Sequence, residues 1–151
     1  MAKPNDFTEI PIVDHKPRLS PYSVKNCFTS FLDKSFSILH VNVRSFNKKM
    51  PQLEILLTQL QINFSCIIVS ETWFSENQFL NSYYLDDYNL YCRSRIDGGG
   101  GGVCVYVLKE LETRVVDVRL MGSEAMLVRM FDLGRPVCSV LAVYRAPSGC
   151  W

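Results

Sequence analysis

The sequence predicts a domain of the α/β class, of the α+β kind, and two patterns predict it. The first is a strand-helix-strand unit, formed by apolar runs at residues 39–45 and 67–73 with a helical pattern between them. The second is a series of strand-like segments further along the chain, at residues 88–93, 103–108, 113–120, 125–131 and 137–144. A hydrophobic fraction of 48% in 151 residues suffices for the core of one domain at most.

The segment between the two apolar runs has the pattern of an amphipathic helix. Pro51 suits the first turn, where a missing N–H costs nothing. Four leucines follow at the i, i+3, i+4 and i+7 spacing of a helix stripe, namely Leu53, Leu56, Leu57 and Leu60. Two strands joined by such a crossover run parallel, so we expect Asn42 and Glu71 at the same edge of one sheet. Ligands of open α/β sheets bind at that edge.

Asn42 and Glu71 have side chains that suit a metal or phosphate site. A carboxylate at the end of a buried strand is a ligand for a hard cation such as Mg²⁺, which takes one or two protein carboxylates. Asn42 can both donate and accept hydrogen bonds. The alternatives are a strand-end acid that faces water and an asparagine that bonds its local backbone.

Five consecutive glycines, residues 98–102, lead into the apolar segment that begins at Val103. A phosphate-binding loop needs glycines that open a helix and a Lys-Ser or Lys-Thr pair after them, and neither is present here. The run therefore predicts a hairpin connection that begins at Asp97-Gly98.

Charge and cysteine usage restrict the class of protein. The net charge of +1 lacks the basic excess of a dedicated DNA-binding domain, although a local patch of Arg44, Lys48 and Lys49 could contact nucleic acid. The same lysines could equally be a solvated helix start. Six cysteines form no C-x-x-C pair. Three of them lie in apolar runs and are interpreted as buried free thiols, which favours a reducing compartment: Cys66, Cys104 and Cys138.

The chain divides at about residue 34. Residues 1–34 contain four prolines and no regular period, so we expect a disordered lead-in or linker, and residues 35–151 are expected to form the folded part. No segment has the ~20 apolar residues that cross a bilayer, and the first residues lack the apolar stretch of a secretory signal. We therefore expect no membrane partner and no secretion.

An ordered set of motifs resembles one known family. The segments Asn-Val-Arg-Ser (42–45) and Glu-Thr-Trp (71–73) are followed by Arg93 and Arg95, a glycine-rich strand (101–107) and Ala-Val-Tyr-Arg-Ala-Pro (142–147). In this order they resemble the endonuclease/exonuclease/phosphatase superfamily. Within that superfamily, the motifs resemble the apurinic/apyrimidinic endonuclease-like domain of non-LTR retrotransposons. The resemblance covers residues 36–151 and only the amino-terminal half of that domain, because its later Asp-x-Asn and histidine motifs have no counterpart here.

The resemblance implies an incomplete two-layer β-sandwich flanked by helices and truncated after about half the domain. It implies a DNA endonuclease dependent on Mg²⁺ or Mn²⁺, inactive as an isolated chain, that acts in the nucleus or cytoplasm. The implied partners are DNA and the rest of a retrotransposon polyprotein with its reverse transcriptase. Glu71 would bind the metal, and Asn42, Glu71 and Tyr144 would be catalytic. The implied DNA contacts are Arg44, Lys48, Arg93, Arg95 and Arg145.

Two alternatives stay open at this point. The chain could be a non-catalytic, degenerate or domesticated remnant that acts as a binding module. Tyr144 could be a packed tyrosine whose hydroxyl reaches water, without any role in chemistry.

Overall fold

The structure is a computed structural model, and it describes residues 36–75, 80–95 and 100–146. The predicted lead-in at residues 1–34 lies outside these ranges, as does Asp97-Gly98, the predicted start of the hairpin connection. Within them the chain forms seven strands and one α-helix, together with the 3-10 helices Phe46–Lys48 and Leu80–Tyr83. In chain order the elements are β1 (Ile38–Asn42), α1 (Met50–Leu60), β2 (Cys66–Ser70), β3 (Tyr88–Arg93), β4 (Val103–Leu108), β5 (Glu112–Asp117), β6 (Ser123–Asp132) and β7 (Arg135–Arg145).

The strands form two sheets. The first has the order β1-β2-β4-β3, and the second has the order β5-β6-β7. β1 and β2 pair in parallel, whereas all other neighbours pair antiparallel. The glycine-rich segment therefore connects two antiparallel strands, β3 and β4, as the hairpin interpretation predicts.

The predicted strand-helix-strand unit is confirmed. Asn42 pairs with Ser70 at the carboxyl ends of β1 and β2, so both strands end at the same edge of the sheet. Pro51 lies in the first turn of α1. The leucine stripe faces the first sheet: Leu53 is buried, and Leu57 and Leu60 pack against the same cluster. Burial of this one face, rather than the helix propensity of its residues, holds an eleven-residue helix in place.

The core has two layers of apolar contacts. One cluster fills the space between α1 and the first sheet, and it includes Phe46, Ile67 and Tyr106. The second lies between the sheets, where Val105 of β4 meets Val128 of β6 and Val140 of β7. Because β2 and β4 are covered on both sides, their runs are apolar without alternation. The fold is thus a two-layer β-sandwich with a flanking helix, in agreement with the predicted class.

One predicted strand ends earlier in the structure than the sequence indicates. The strand predicted at residues 113–120 stops at Asp117, because the chain turns at Gly122 and Leu120 forms only an isolated bridge to Ser123. The connection between β2 and β3 contains the 3-10 helix Leu80–Tyr83. Its last residue, Tyr83, packs its ring 5.4 Å from that of Phe46.

The interpretation of Cys104 as a free thiol is wrong. The structure joins Cys104 to Cys92 in a disulfide, because the antiparallel register of β3 and β4 sets these residues opposite each other with their Cα atoms 4.2 Å apart. Cys66 is free and buried, as predicted, whereas Cys138 is free and only half-buried. The argument for a reducing compartment therefore loses Cys104 as support, since structural disulfides are rare in the cytosol and nucleus.

None of the helices in the described part of the chain has the length and apolar character required to cross a membrane.

Candidate active site

The carboxyl edge of β1 and β2 brings Asn42 and Glu71 together. The Asn42 side-chain amide donates a hydrogen bond of 2.9 Å from Nδ2 to Oε1 of Glu71. Parallel pairing produces this contact, because Asn42 is the last residue of β1 and Glu71 directly follows β2. The two side chains therefore meet because of the strand-helix-strand topology, and the hydrogen bond holds one carboxylate oxygen in a defined position.

The two segments that leave this edge remain joined by backbone hydrogen bonds. The Ser45 N–H donates to the Glu71 carbonyl at 2.9 Å, and the Phe46 N–H donates to the Thr72 carbonyl at the same distance. Several residues here have left-handed backbone angles although they are not glycine: Arg44, Ser45, Glu71 and Trp73. Such conformations cost free energy and concentrate at functional sites, where the surrounding structure enforces them.

The glycine-rich segment before β4 packs directly on the residues after Glu71. The Trp73 N–H donates a 2.9 Å hydrogen bond to the Gly101 carbonyl. A Cβ on Gly102 would lie 2.6 Å from the hydroxyl oxygen of Thr72, which is 1% exposed. Glycine is required here both by this close approach and by a φ of +84°. The glycines are thus part of the site as well as of the hairpin.

Glu124 of the second sheet and Arg95, which follows β3, form an ion pair beside Tyr144. The register of β6 and β7 sets Glu124 opposite Tyr144. Arg95 donates from Nε to Oε1 of Glu124 at 2.7 Å and from Nη2 to Oε2 at 3.5 Å. The side chains of Arg95 and Glu124 are only 26% and 10% exposed. This bidentate arrangement anchors the guanidinium next to the tyrosine.

Gly101 lies against Arg95, Glu124 and Tyr144. A Cβ at this position would be 2.9 Å from Oε2 of Glu124, 3.2 Å from Cε1 of Tyr144 and 3.3 Å from Cζ of Arg95. Any side chain at residue 101 would therefore displace the ion pair or the tyrosine ring. The glycine allows the edge of the first sheet and the second sheet to meet at the site.

The electrostatics of Tyr144 link the two halves of the site. Burial raises its pKa above the ordinary value of 10.0, and the negative charges of Glu71 and Glu124 raise the pKa further, whereas Arg95 lowers it. Because the balance is upward, the hydroxyl is protonated at neutral pH and can donate a hydrogen bond. The charge of Glu71, at the edge of the first sheet, thus acts on the hydroxyl of Tyr144 in the second sheet.

The predicted DNA contacts are distributed around this centre. Arg95 is in the cluster with Glu124, and Arg93 forms an ion pair with Asp117 of β5. Arg44 and Lys48 are exposed in the segment after β1, and neither forms an ion pair within the described residues. Arg145 is the last residue of β7 and is half-buried.

Sequence reasoning missed Glu124 and the close packing of Gly101 and Gly102. Glu124 lies opposite Tyr144 only because the register of β6 and β7 shifts between Met130 and Phe131, and the sequence carries no signal for that shift. The packing of the glycines depends on which loop they touch, and no local pattern carries that information.

The donor set at the edge fits a hard divalent cation with few protein ligands. Across residues 36–75, 80–95 and 100–146, no group of three or more His, Cys, Asp or Glu side chains is arranged to hold a metal ion. Glu71 offers one carboxylate, which is held by Asn42, and the charge of that carboxylate raises the pKa of the Tyr144 hydroxyl. Mg²⁺ accepts such a site because it keeps several of its waters, whereas zinc normally requires three or four protein ligands.

No model of a known protein family matches the chain, and no curated protein matches it. Among solved structures, the chain is similar to an AP endonuclease from Archaeoglobus fulgidus, with a TM-score of 0.48 and 19% sequence identity. The alignment covers 68% of this chain and 39% of that chain. The chain therefore spans about two fifths of the length of that protein.

Proposed function

We propose that this chain contributes the metal-binding and phosphate-binding side of a DNA endonuclease that hydrolyses phosphodiester bonds. The observation that carries the proposal is the Asn42–Glu71 pair at the shared carboxyl edge of β1 and β2. The charge of the same carboxylate raises the pKa of the Tyr144 hydroxyl. A carboxylate, an amide and a protonated phenol are the groups needed to hold a metal and to bind phosphoryl oxygens. The order of motifs described above supports DNA as the substrate.

Glu71 would hold a Mg²⁺ or Mn²⁺ ion, and Asn42 would orient its carboxylate. The ion would supply a Lewis acid that stabilises the negative charge developing on the phosphoryl group. Asn42 restricts rotation of the carboxylate, so that less ordering is required when the substrate binds. The left-handed backbone at Glu71 supports this role, because that strain is tolerated where a side chain must be aimed.

Tyr144 would donate its hydroxyl hydrogen to an oxygen of the scissile phosphate. The raised pKa suits a donor, since the phenol stays neutral throughout the physiological range. Arg95 adds a positive charge beside the tyrosine, and its pairing with Glu124 keeps the guanidinium in place. A fixed donor and a fixed cation cost little reorganisation when negative charge develops.

The remaining basic residues would bind the flanking DNA backbone. Arg44 and Lys48 are the exposed members, on the segment that follows β1. Arg93 and Arg145 lie at the ends of β3 and β7. Contacts of this kind fix the register of DNA without reading its sequence, and they make binding sensitive to salt.

The finer proposal is that the chain belongs to a retrotransposon and nicks target DNA in the nucleus or cytoplasm together with a reverse transcriptase. The support is the combination of Glu-Thr-Trp, Arg-x-Arg and the glycine run in one chain. In the alternative, a non-catalytic remnant, the chain binds nucleic acid without a metal.

The test is the metal dependence of DNA binding. A fluorescein-labelled duplex is titrated with the protein in Mg²⁺ and in EDTA, and binding is followed by anisotropy. We expect Mg²⁺ to tighten binding of the wild-type chain, and we expect Glu71→Gln to abolish that difference. Tight binding that is identical in Mg²⁺ and EDTA supports the remnant. The absence of binding in both conditions contradicts both functions.

A further inference from the structure

Trp73 is a large aromatic residue that the fold places on the surface beside the site. Its side chain is 41% exposed, whereas Thr72 and Phe74 on either side are 1% and 4% exposed. Phe74 is anchored in the core, with its ring 4.6 Å from that of Tyr83 and 5.8 Å from that of Phe46. Because both neighbours point inward, the chain directs the indole toward solvent.

The backbone holds Trp73 in this position. Its φ of +57° is left-handed, and its N–H donates a 2.9 Å hydrogen bond to the Gly101 carbonyl. The indole lies against Gly100: a Cβ at that glycine would be 3.5 Å from Nε1 and 3.7 Å from Cε2. A side chain at residue 100 would therefore cover part of the ring. The backbone hydrogen bond and the contact with Gly100 position the indole in the absence of a ligand, and such positioning lowers the entropy cost of stacking.

Charged residues of the site adjoin the backbone of Trp73. Trp73 is two residues from Glu71, and its backbone hydrogen bond joins it to Gly101, which lies against Arg95 and Glu124. A protein partner needs a continuous interface of about 800 Å² on each side, with an apolar centre. A nucleobase needs only one open aromatic surface, with cations nearby for its phosphates.

We propose that Trp73 stacks on an unpaired nucleobase of the DNA strand, next to the phosphate bound at Glu71. The proposal rests on the function proposed above and adds a substrate preference to it. The chain would favour DNA in which a base at the site is unstacked, as in a bulge or a flap. Stacking is tolerant of base identity, so the preference concerns the state of the base rather than the sequence.

The experiment uses the full chain with Trp151→Phe, which leaves Trp73 as the single tryptophan of the two in the sequence. The probes are three duplexes of one sequence in Mg²⁺. One contains a bulged adenine, one has an abasic residue in its place, and one is fully paired. Anisotropy of a terminal fluorescein reports binding, and indole emission with unlabelled duplexes reports stacking.

We expect the bulged adenine to quench Trp73 and to bind about tenfold more tightly than the abasic duplex. Trp73→Ala should weaken binding of the bulged duplex about tenfold, so that the bulged and abasic duplexes bind equally well. Trp73→Phe keeps an aromatic ring and should retain most of the preference for the bulged duplex. Met121→Ala is the matched control, because Met121 is 98% exposed at a turn of the second sheet and should have no effect.

Binding seen by anisotropy without quenching, and unchanged by Trp73→Ala, overturns this inference and leaves the proposed function intact. The absence of an anisotropy change with every probe overturns both. An emission shift that depends on protein concentration without DNA indicates that the indole mediates self-association, and it also overturns the inference.

Discussion

The Asn42 amide donates a 2.9 Å hydrogen bond to the carboxylate of Glu71, although 29 residues separate the two in the sequence. The contact requires a parallel pair of strands of matched length with a crossover helix between them, and the chain has all three. If the carboxylate binds a metal, the amide is the partner that fixes its orientation.

Asn42→Ala should therefore weaken Mn²⁺ binding about tenfold, which is the lower end of the effect of losing a hydrogen-bond partner of a metal ligand. His40→Ala is the matched control, because His40 lies on the same face of β1 and contacts Ser70 rather than Glu71. Electron paramagnetic resonance of free Mn²⁺ measures the Mn²⁺ affinity of both variants. Equal affinities of the wild-type chain and Asn42→Ala would contradict the orienting role.

The Arg95–Glu124 pair should contribute more to stability than an ordinary surface pair. Glu124→Gln should lower the free energy of unfolding by about 2 kcal/mol, because it leaves the guanidinium of Arg95 in a poorly solvated position without its counter-charge. Glu112→Gln breaks the pair with Arg114, whose side chains are about half exposed, and should cost under about 0.5 kcal/mol. Urea denaturation compares the two. Equal costs would show that Arg95 is not held by Glu124.

Gly102 should tolerate alanine much less well than Gly134. Both have positive φ angles, +84° and +75°, so alanine is strained at either and should cost about 1 kcal/mol for that reason alone. At Gly102 the added Cβ would also lie 2.6 Å from the Thr72 hydroxyl, whereas at Gly134 it meets nothing within 4 Å. We expect Gly102→Ala to cost about 3 kcal/mol and to weaken DNA binding. Similar melting temperatures of the two variants would contradict the close approach at Thr72.

Stability should fall as the pH rises from 9 toward 12. Burial raises the pKa of the Cys66 thiol from 9.0 to about 12, and burial likewise raises the pKa of Tyr88 from 10.0 to about 12. Between these values the unfolded chain loses protons that the folded chain retains, so each group lowers the free energy of unfolding by about 1.4 kcal/mol per pH unit. Cys66→Ala should flatten the dependence between pH 9 and 10, where the thiol dominates. Chemical denaturation at several pH values measures the slope, and an unchanged slope would contradict burial of the thiol.

Much of the first sheet could be predicted from the sequence, because its elements carry local signals. The leucine stripe that begins at Leu53 predicts α1, and the apolar runs of β2 and β4 predict strands covered on both faces. The meeting of Asn42 and Glu71 follows from the direction of two strands. These features depend on periodicity and chain length alone.

The contacts between sheets and loops could not be predicted in the same way. Glu124 has no local signal of function, and its pairing with Arg95 depends on how the second sheet lies against the hairpin of β3 and β4. The Cys92–Cys104 pair depends on the register of that hairpin, which the turn sets. Residue 101 must be glycine because three side chains from elsewhere in the chain occupy the space that a Cβ would need. Such information resides in tertiary packing.

The most direct test of the central claim is Mn²⁺ binding to the wild-type chain and to Glu71→Gln, followed by electron paramagnetic resonance. Glu110→Gln is the matched control, because Glu110 is an exposed acid in the turn after β4. We expect the wild-type chain and Glu110→Gln to bind one ion with equal affinity, and we expect Glu71→Gln to lose most of that binding. Equal binding by all three proteins would contradict the assignment of Glu71 as the metal ligand.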